Sequence, residues 1–184
     1  MKQMGMLLNG CEAYQLIEIV RATAKIPGEI AEVGVFRGGS ARLICEHKGG
    51  RELYLFDTWS GLPQLTEDDG GSGFFGQQFA ASLENVKNAL RAYSGVHFLP
   101  GPFPQTAEPV RNRCFSFVHL DVDLYEATRD ALEFFYPRLA RGAALMSHDF
   151  HAPGVRKAIE EFFADKPEIV IQQPAGSHIV AIKL

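Results

Sequence analysis

Hydrophobic positions along the chain switch between two periods, and the switching predicts the fold. Short apolar runs with period two alternate with stretches whose apolar residues recur every three to four positions, which is the pattern of a mostly parallel sheet covered on both faces. Asn9-Gly10-Cys11-Glu12 reads as a capping box opening a helix over residues 9–26. Ala13, Leu16, Ile17, Val20 and Ala24 form its apolar stripe, and Pro27-Gly28 stops it. Strands follow at Glu29 to Val35, Glu52 to Asp57, Val96 to Leu99, Phe115 to Asp121 and Ala143 to Ser147. Helices are expected at Gly38 to His47, at Phe79 to Tyr93, after Asp123, and at Gly154 to Ala164. A second capping box, Asp123-Leu124-Tyr125-Glu126, predicts Asp123 as the N-cap of its helix, with Gly142 at the far end. The last two strands, Glu168 to Gln172 and His178 to Leu184, are joined by five residues. That link is too short for a parallel crossover, so the pair is an antiparallel hairpin. The expectation is one α/β domain over residues 1–184, a doubly wound, Rossmann-like, seven-stranded sheet closed by an antiparallel hairpin.

Composition narrows the function classes. The 184 residues carry 18 Lys+Arg against 22 Asp+Glu, a net charge of −4. With no basic run, neither nucleic acid nor an anionic membrane is the expected partner. Apolar runs are too short for a bilayer span, and the first residues lack the apolar core of a signal peptide. Three widely spaced cysteines without a CxxC argue against a disulfide framework or a zinc site, and fit a cytoplasmic location. Residues 58–76 are rich in Gly, Asp and Ser and read as a substrate lid, with Phe74 and Phe75 needing an apolar surface to rest on.

The polar residues at the strand ends carry the chemistry. Glu32-Val33-Gly34-Val35-Phe36-Arg37-Gly38-Gly39-Ser40 forms a Gly-rich turn from the first strand into its helix, suited to an anionic group at a helix start. It is neither GxGxxG nor a phosphate-binding loop with its Lys. Asp57 ends the second strand, where a carboxylate can accept ribose hydroxyls. The two together indicate an adenosine-containing cofactor. Asp121 ends the fourth strand and His148-Asp149 follow the fifth, at ends that open on one crevice and can hold a divalent cation. His148 is also a candidate base. His119 reads as a sheet residue and His151 as a loop residue.

Four blocks then resemble the macrocin O-methyltransferase family. They are Glu-Val-Gly-Val-Phe-Arg-Gly-Gly-Ser (32–40), Phe-Asp-Thr-Trp-Ser-Gly-Leu-Pro (56–63), His-Leu-Asp-Val-Asp-Leu-Tyr-Glu-Ala-Thr (119–128) and Ser-His-Asp-Phe (147–150). The resemblance covers about Glu29 to Phe163. It implies the class I methyltransferase fold, with its last strand antiparallel, and transfer of a methyl group from S-adenosyl-L-methionine to a hydroxyl of a small molecule such as a sugar. It implies a cofactor site at Glu32, Gly34, Phe36, Arg37, Gly38, Ser40, Asp57, Thr58, Trp59 and Asp121. Asp121 and His148 become the catalytic candidates, and Asp121, His148 and Asp149 the ligands of Mg²⁺ or another divalent cation. The family shows two adjacent acidic residues where this chain has His148-Asp149. An imidazole favours softer ions than Mg²⁺, so the cation is weaker, different or absent. A nucleotide-dependent oxidoreductase and a non-catalytic cofactor-binding relic are the alternatives. A homodimer is the default state for an enzyme of this kind.

Overall fold

The computed structural model describes residues 7–173 and 176–184. Its sheet is seven-stranded, in the order β3-β2-β1-β4-β5-β7-β6. The strands are β1 (Glu29–Val33), β2 (Leu53–Asp57), β3 (Val96–Pro100), β4 (Phe115–Leu120), β5 (Leu139–Ser147), β6 (Val170–Gln172) and β7 (Ile179–Ile182). β3 through β5 are mutually parallel, while β7 runs antiparallel to both β5 and β6. The expected hairpin ending is therefore present, inserted so that β7 pairs with β5.

Helices α1 (Gly10–Ala22), α2 (Gly39–His47) and α3 (Leu83–Leu90) cover one face, and α4 (Tyr125–Phe135) and α5 (Pro153–Phe163) the other. Alternation along β1 explains the two layers. Ala31 and Val33 join Phe56, Leu120, Phe135 and Ile159 under α4 and α5, whereas Ile30 joins Leu16, Ile44, Leu55 and Phe117 under α1 and α2. Glu32 and His119 lie side by side in register on this second face, both fully buried. Among the described residues no helix is long and apolar enough to cross a membrane.

The capping box of α1 is as expected: Asn9 Oδ1 accepts from Glu12 N, and Glu12 Oε2 accepts from Asn9 N. Three other expectations are corrected. Asp123 does not cap α4. It takes a φ of +65°, Leu124 becomes the N-cap, and the Tyr125 N–H is received by Asp69 from a distant loop. Gly142 does not end α4, which stops at Phe135; the glycine sits inside β5. The predicted helix from Phe79 shortens to α3, because Gln77 and Phe79 adopt positive φ and Ser82 supplies the cap to Asn85 N–H.

Candidate functional site

Strand order reverses between β1 and β4, and there the C-terminal strand ends leave a crevice. A cavity of about 730 Å³ fills it. Backbone bonds bring its floor together: Asp121 N donates to Val33 O and His148 N to Leu120 O, so the residues following β1, β4 and β5 abut. Gly34 is required at this junction. A Cβ there would lie 1.7 Å from the Asp121 carbonyl oxygen, and its φ is +85°.

Of the expected cofactor residues, Gly34, Phe36, Asp57, Thr58 and Asp121 line the cavity. Glu32, Arg37, Gly38, Ser40 and Trp59 do not. Glu32 receives His119 Nδ1 at 3.0 Å, and burial raises its carboxyl pKa. Trp59 Nε1 donates to Phe36 O. Arg37 is exposed, its guanidinium over the Phe36 ring. Asp57 is used by the backbone: Oδ2 accepts from Val35 N and Phe36 N, both at 2.7 Å, and Oδ1 from Trp59 N at 2.6 Å. The carboxylate thus folds the Gly-rich turn over the end of β2. Oδ1 keeps room for one more donor, such as a ribose hydroxyl.

The acidic side of the cavity gathers Asp121, His148 and Asp149, with one donor atom of each within 4.8 Å of the others. His148 Nδ1 lies 3.1 Å from Asp121 Oδ1 and 2.9 Å from Asp149 Oδ2. Burial works against charge on this imidazole, but the two carboxylates outweigh it and its pKa is pushed up to about 11. Asp149 is held below the usual carboxylate range: its burial is overcome by His148. The sequence reading missed Asp123. It lines the cavity nearly buried, and burial together with the charges of Asp121 and Asp149 pushes it up to about 9. Its signal was the Asp-Val-Asp spacing, which the capping-box reading masked. Glu12 was also missed as a site residue; its Oε1 lies 3.5 Å from His148 Nε2.

Backbone strain is concentrated here. Five of the non-glycine residues with positive φ (Phe36, Gln77, Phe79, Asp123 and Asp149) line the cavity, and a sixth, Trp59, adjoins it. The expected lid forms one wall. Phe74 packs on the core and edge-on to Phe79, which meets Phe36 edge-on in turn, whereas Phe75 stays exposed. The wall is fixed through Asp69, whose Oδ1 accepts from Tyr125 N at 2.7 Å and whose Oδ2 accepts from Thr66 N and Oγ1.

The sequence model of the macrocin O-methyltransferase family matches residues 12–174. A tetracenomycin-C 4′-O-methyltransferase that acts on the 8-demethyl-8-(2,3-dimethoxy-α-L-rhamnosyl) form, from Streptomyces olivaceus, is 30% identical over 152 residues. These are 74% of this chain and 58% of the relative. Mycinamicin III 3″-O-methyltransferase of Micromonospora griseorubida is 30% identical over 154 residues, 74% of this chain and 61% of the relative. The chain thus spans about three fifths of the length of the curated relatives it matches. Among solved structures, the O-methyltransferase NovP aligns with a TM-score of 0.77 and 25% identity over 93% of this chain and 78% of NovP. The calicheamicin methyltransferase CalS11 aligns with a TM-score of 0.81 over 98% of this chain and 83% of CalS11, at 19% identity.

Proposed function

This chain belongs to the macrocin O-methyltransferase family, and from that premise we propose that it transfers the methyl group of S-adenosyl-L-methionine to a hydroxyl of a natural-product moiety. The observation that carries the reading is the single crevice shared by the Gly-rich turn, Asp57 and the Asp121–His148–Asp149 cluster. The turn and Asp57 bind the cofactor, with Oδ1 of Asp57 taking a ribose hydroxyl. Phe36, Phe74 and Phe79 bind the apolar body of the acceptor, in keeping with relatives named for a tetracenomycin and a mycinamicin.

The sulfonium is already activated, so the protein's task is to align the acceptor oxygen with the S–CH₃ bond and remove its proton. Alignment alone contributes up to ~7–11 kcal/mol. Asp121 is the better base. The imidazole of His148, at about 11 between its carboxylates, keeps its proton at neutral pH. Asp123, protonated below about 9, donates to Asp149 and keeps that carboxylate turned inward. Asp121, His148 and Asp149 would hold a divalent cation only in place of the imidazole proton, because the ring nitrogen binds a metal in its neutral form. Bound there, it would lower the pKa of the acceptor hydroxyl by acting as a Lewis acid.

Trp59, the one tryptophan, is nearly buried against the turn and reports on the site. Its fluorescence should change on titration with S-adenosylhomocysteine and not with NAD. No response to S-adenosylhomocysteine, confirmed by calorimetry, would remove the cofactor and with it the reaction. Binding without turnover on any hydroxyl acceptor would instead favour a cofactor-binding chain that lacks catalysis.

A further inference from the structure

Of the fourteen phenylalanines, Phe75 alone is exposed, with 63% of its surface in water. Its neighbour Phe74 turns into the cavity, and the backbone around the pair is fixed. Gln77 N donates to Leu62 O and Leu62 N to Gln78 O, both at 2.8 Å, while Phe75 N donates to Gln78 Oε1 at 3.1 Å. Gly61 presses on this clamp, since a Cβ there would lie 2.5 Å from the Gln77 carbonyl oxygen. The far end of the loop is tied down by Asp69 and by Asp68, whose Oδ1 meets Lys157 Nζ of α5 at 2.6 Å. A large apolar ring on a backbone held in place is preorganised: covering it gains burial without the cost of ordering a loop.

Phe75 forms one wall of a second, open groove of about 550 Å³, with Leu62, Pro63, Leu65 and Gln77 around it. Leu62, Pro63 and Gln77 also line the cavity, so groove and cavity are continuous over one rim. The loop is the partition between them, with Phe74 on its inner side and Phe75 on its outer side.

Size identifies what crosses the rim. Pockets of ~300–1,000 Å³ each suit one drug-sized ligand, and the cavity is about 730 Å³. In the methyltransferase reading it holds the cofactor, itself of that size, and the reacting end of the acceptor. The remainder of a large acceptor has to extend outward. Charge gives that remainder its chemistry. No Lys or Arg occurs between Arg51 and Lys87, whereas Glu67, Asp68 and Asp69 do. An anionic group placed there meets acidic neighbours; an uncharged ring system meets aliphatic side chains and an aromatic face.

We propose that the groove at Phe75 is an outer acceptor subsite. It takes the uncharged, apolar ring body attached to the moiety that is methylated, and Phe75 and Leu65 set the preference for acceptors that carry such a body. By the same charges, an acceptor carried on a nucleoside diphosphate is disfavoured. The proposal deepens the O-methyltransferase reading and rests on it.

The test uses the full chain saturated with S-adenosylhomocysteine, so that the cofactor's part of the cavity is filled. Nile red, an uncharged planar ring system, is the fluorescent probe, and anilinonaphthalene sulfonate is its anionic counterpart. Nile red should bind one equivalent, at least tenfold tighter than the anion. Phe75→Ala and Leu65→Asp should each weaken it at least tenfold, the scale of one large apolar contact, and Phe75→Tyr should retain it. Ile169→Ser removes an exposed apolar side chain beside the edge strand β6 and should leave dye affinity alone. S-adenosylhomocysteine affinity should be the same in every variant. Turnover is followed as labelled methyl passed from S-adenosylmethionine to pairs of glycosides that share a sugar, one with an anthraquinone body and one with a methyl aglycone. Phe75→Ala should raise KM at least tenfold for the anthraquinone member, with kcat within twofold, and so abolish its advantage over the methyl glycoside. Nile red affinity untouched by Phe75→Ala and Leu65→Asp, or an unmoved KM, would overturn the subsite and leave the methyltransferase reading standing. Failure of the wild type to bind S-adenosylhomocysteine would overturn that reading instead.

Discussion

Replacing Asp57 by Asn tests whether one carboxylate both builds the cofactor turn and binds the cofactor. The two side chains have the same shape, so the change is in acceptors and charge. In the wild type three backbone N–H groups point at the carboxylate, from Val35, Phe36 and Trp59, at 2.6–2.7 Å. An amide offers a single oxygen. It retains the Val35 and Phe36 pair or the Trp59 bond, and its NH₂ faces the donors left over. Hydrogen bonds to a charged group contribute ~1.5–3 kcal/mol against ~0.5–1.5 for neutral ones, and an unmet donor costs ~1–3. Asp57 is partly exposed, so water recovers part of the loss, and the expected destabilisation is about 2–3 kcal/mol. For a chain of this length that is a fall of about 4–12 °C in melting temperature. Urea unfolding at pH 7 followed through Trp59 measures the stability. A titration of the folded variant with S-adenosylhomocysteine should show ~10–100-fold weaker binding, from the lost charged acceptor. A variant as stable as the wild type would refute the organising role of the carboxylate. A less stable one with unchanged affinity would confine Asp57 to structure.

Three further outcomes are expected. Gly34→Ala forces a methyl group against the Asp121 carbonyl and a strained φ; it should cost about 3 kcal/mol or more in urea unfolding, and a neutral effect would mean the β1 and β4 ends are not locked together. Asp69→Ala removes the acceptor of the Tyr125 N–H, so unfolding should show a loss of about 1–2 kcal/mol, the scale of a helix cap, and limited proteolysis should cut residues 58–79 faster; unchanged cleavage would refute the anchoring of that wall. Glu168 is pulled down to about 2 because bonds from Tyr136, Lys183 and the backbone outweigh its burial. A depressed acid stabilises the fold above its unfolded value of 4.5 and loses that contribution as pH falls toward 2. Wild type and Glu168→Gln should therefore differ in urea midpoint at pH 7 and converge near pH 2; a constant gap across that range would reject the assignment.

Much of this protein follows from local pattern. The alternation of strand and helix periods, the five-residue link before β7 and the capping box at Asn9 are short-range signals, and the structure agrees with each. Asp121, His148 and Asp149 were also legible, because residues at the ends of parallel strands converge on the crevice wherever strand order reverses. Other features depended on contacts between segments distant in the chain, which no local pattern encodes. The start of α4 is satisfied by Asp69, 56 residues away, which frees Asp123 to turn into the cavity. Asp57 Oδ2 is taken by the backbone of the turn it faces. Glu12 meets His148 only because β7 inserts beside β5 and carries Ser177 onto α1. Periodicity fixes which face of an element is apolar. Which buried charges meet is decided by how the elements pack, and in this site that packing sets the protonation of His148 and Asp123.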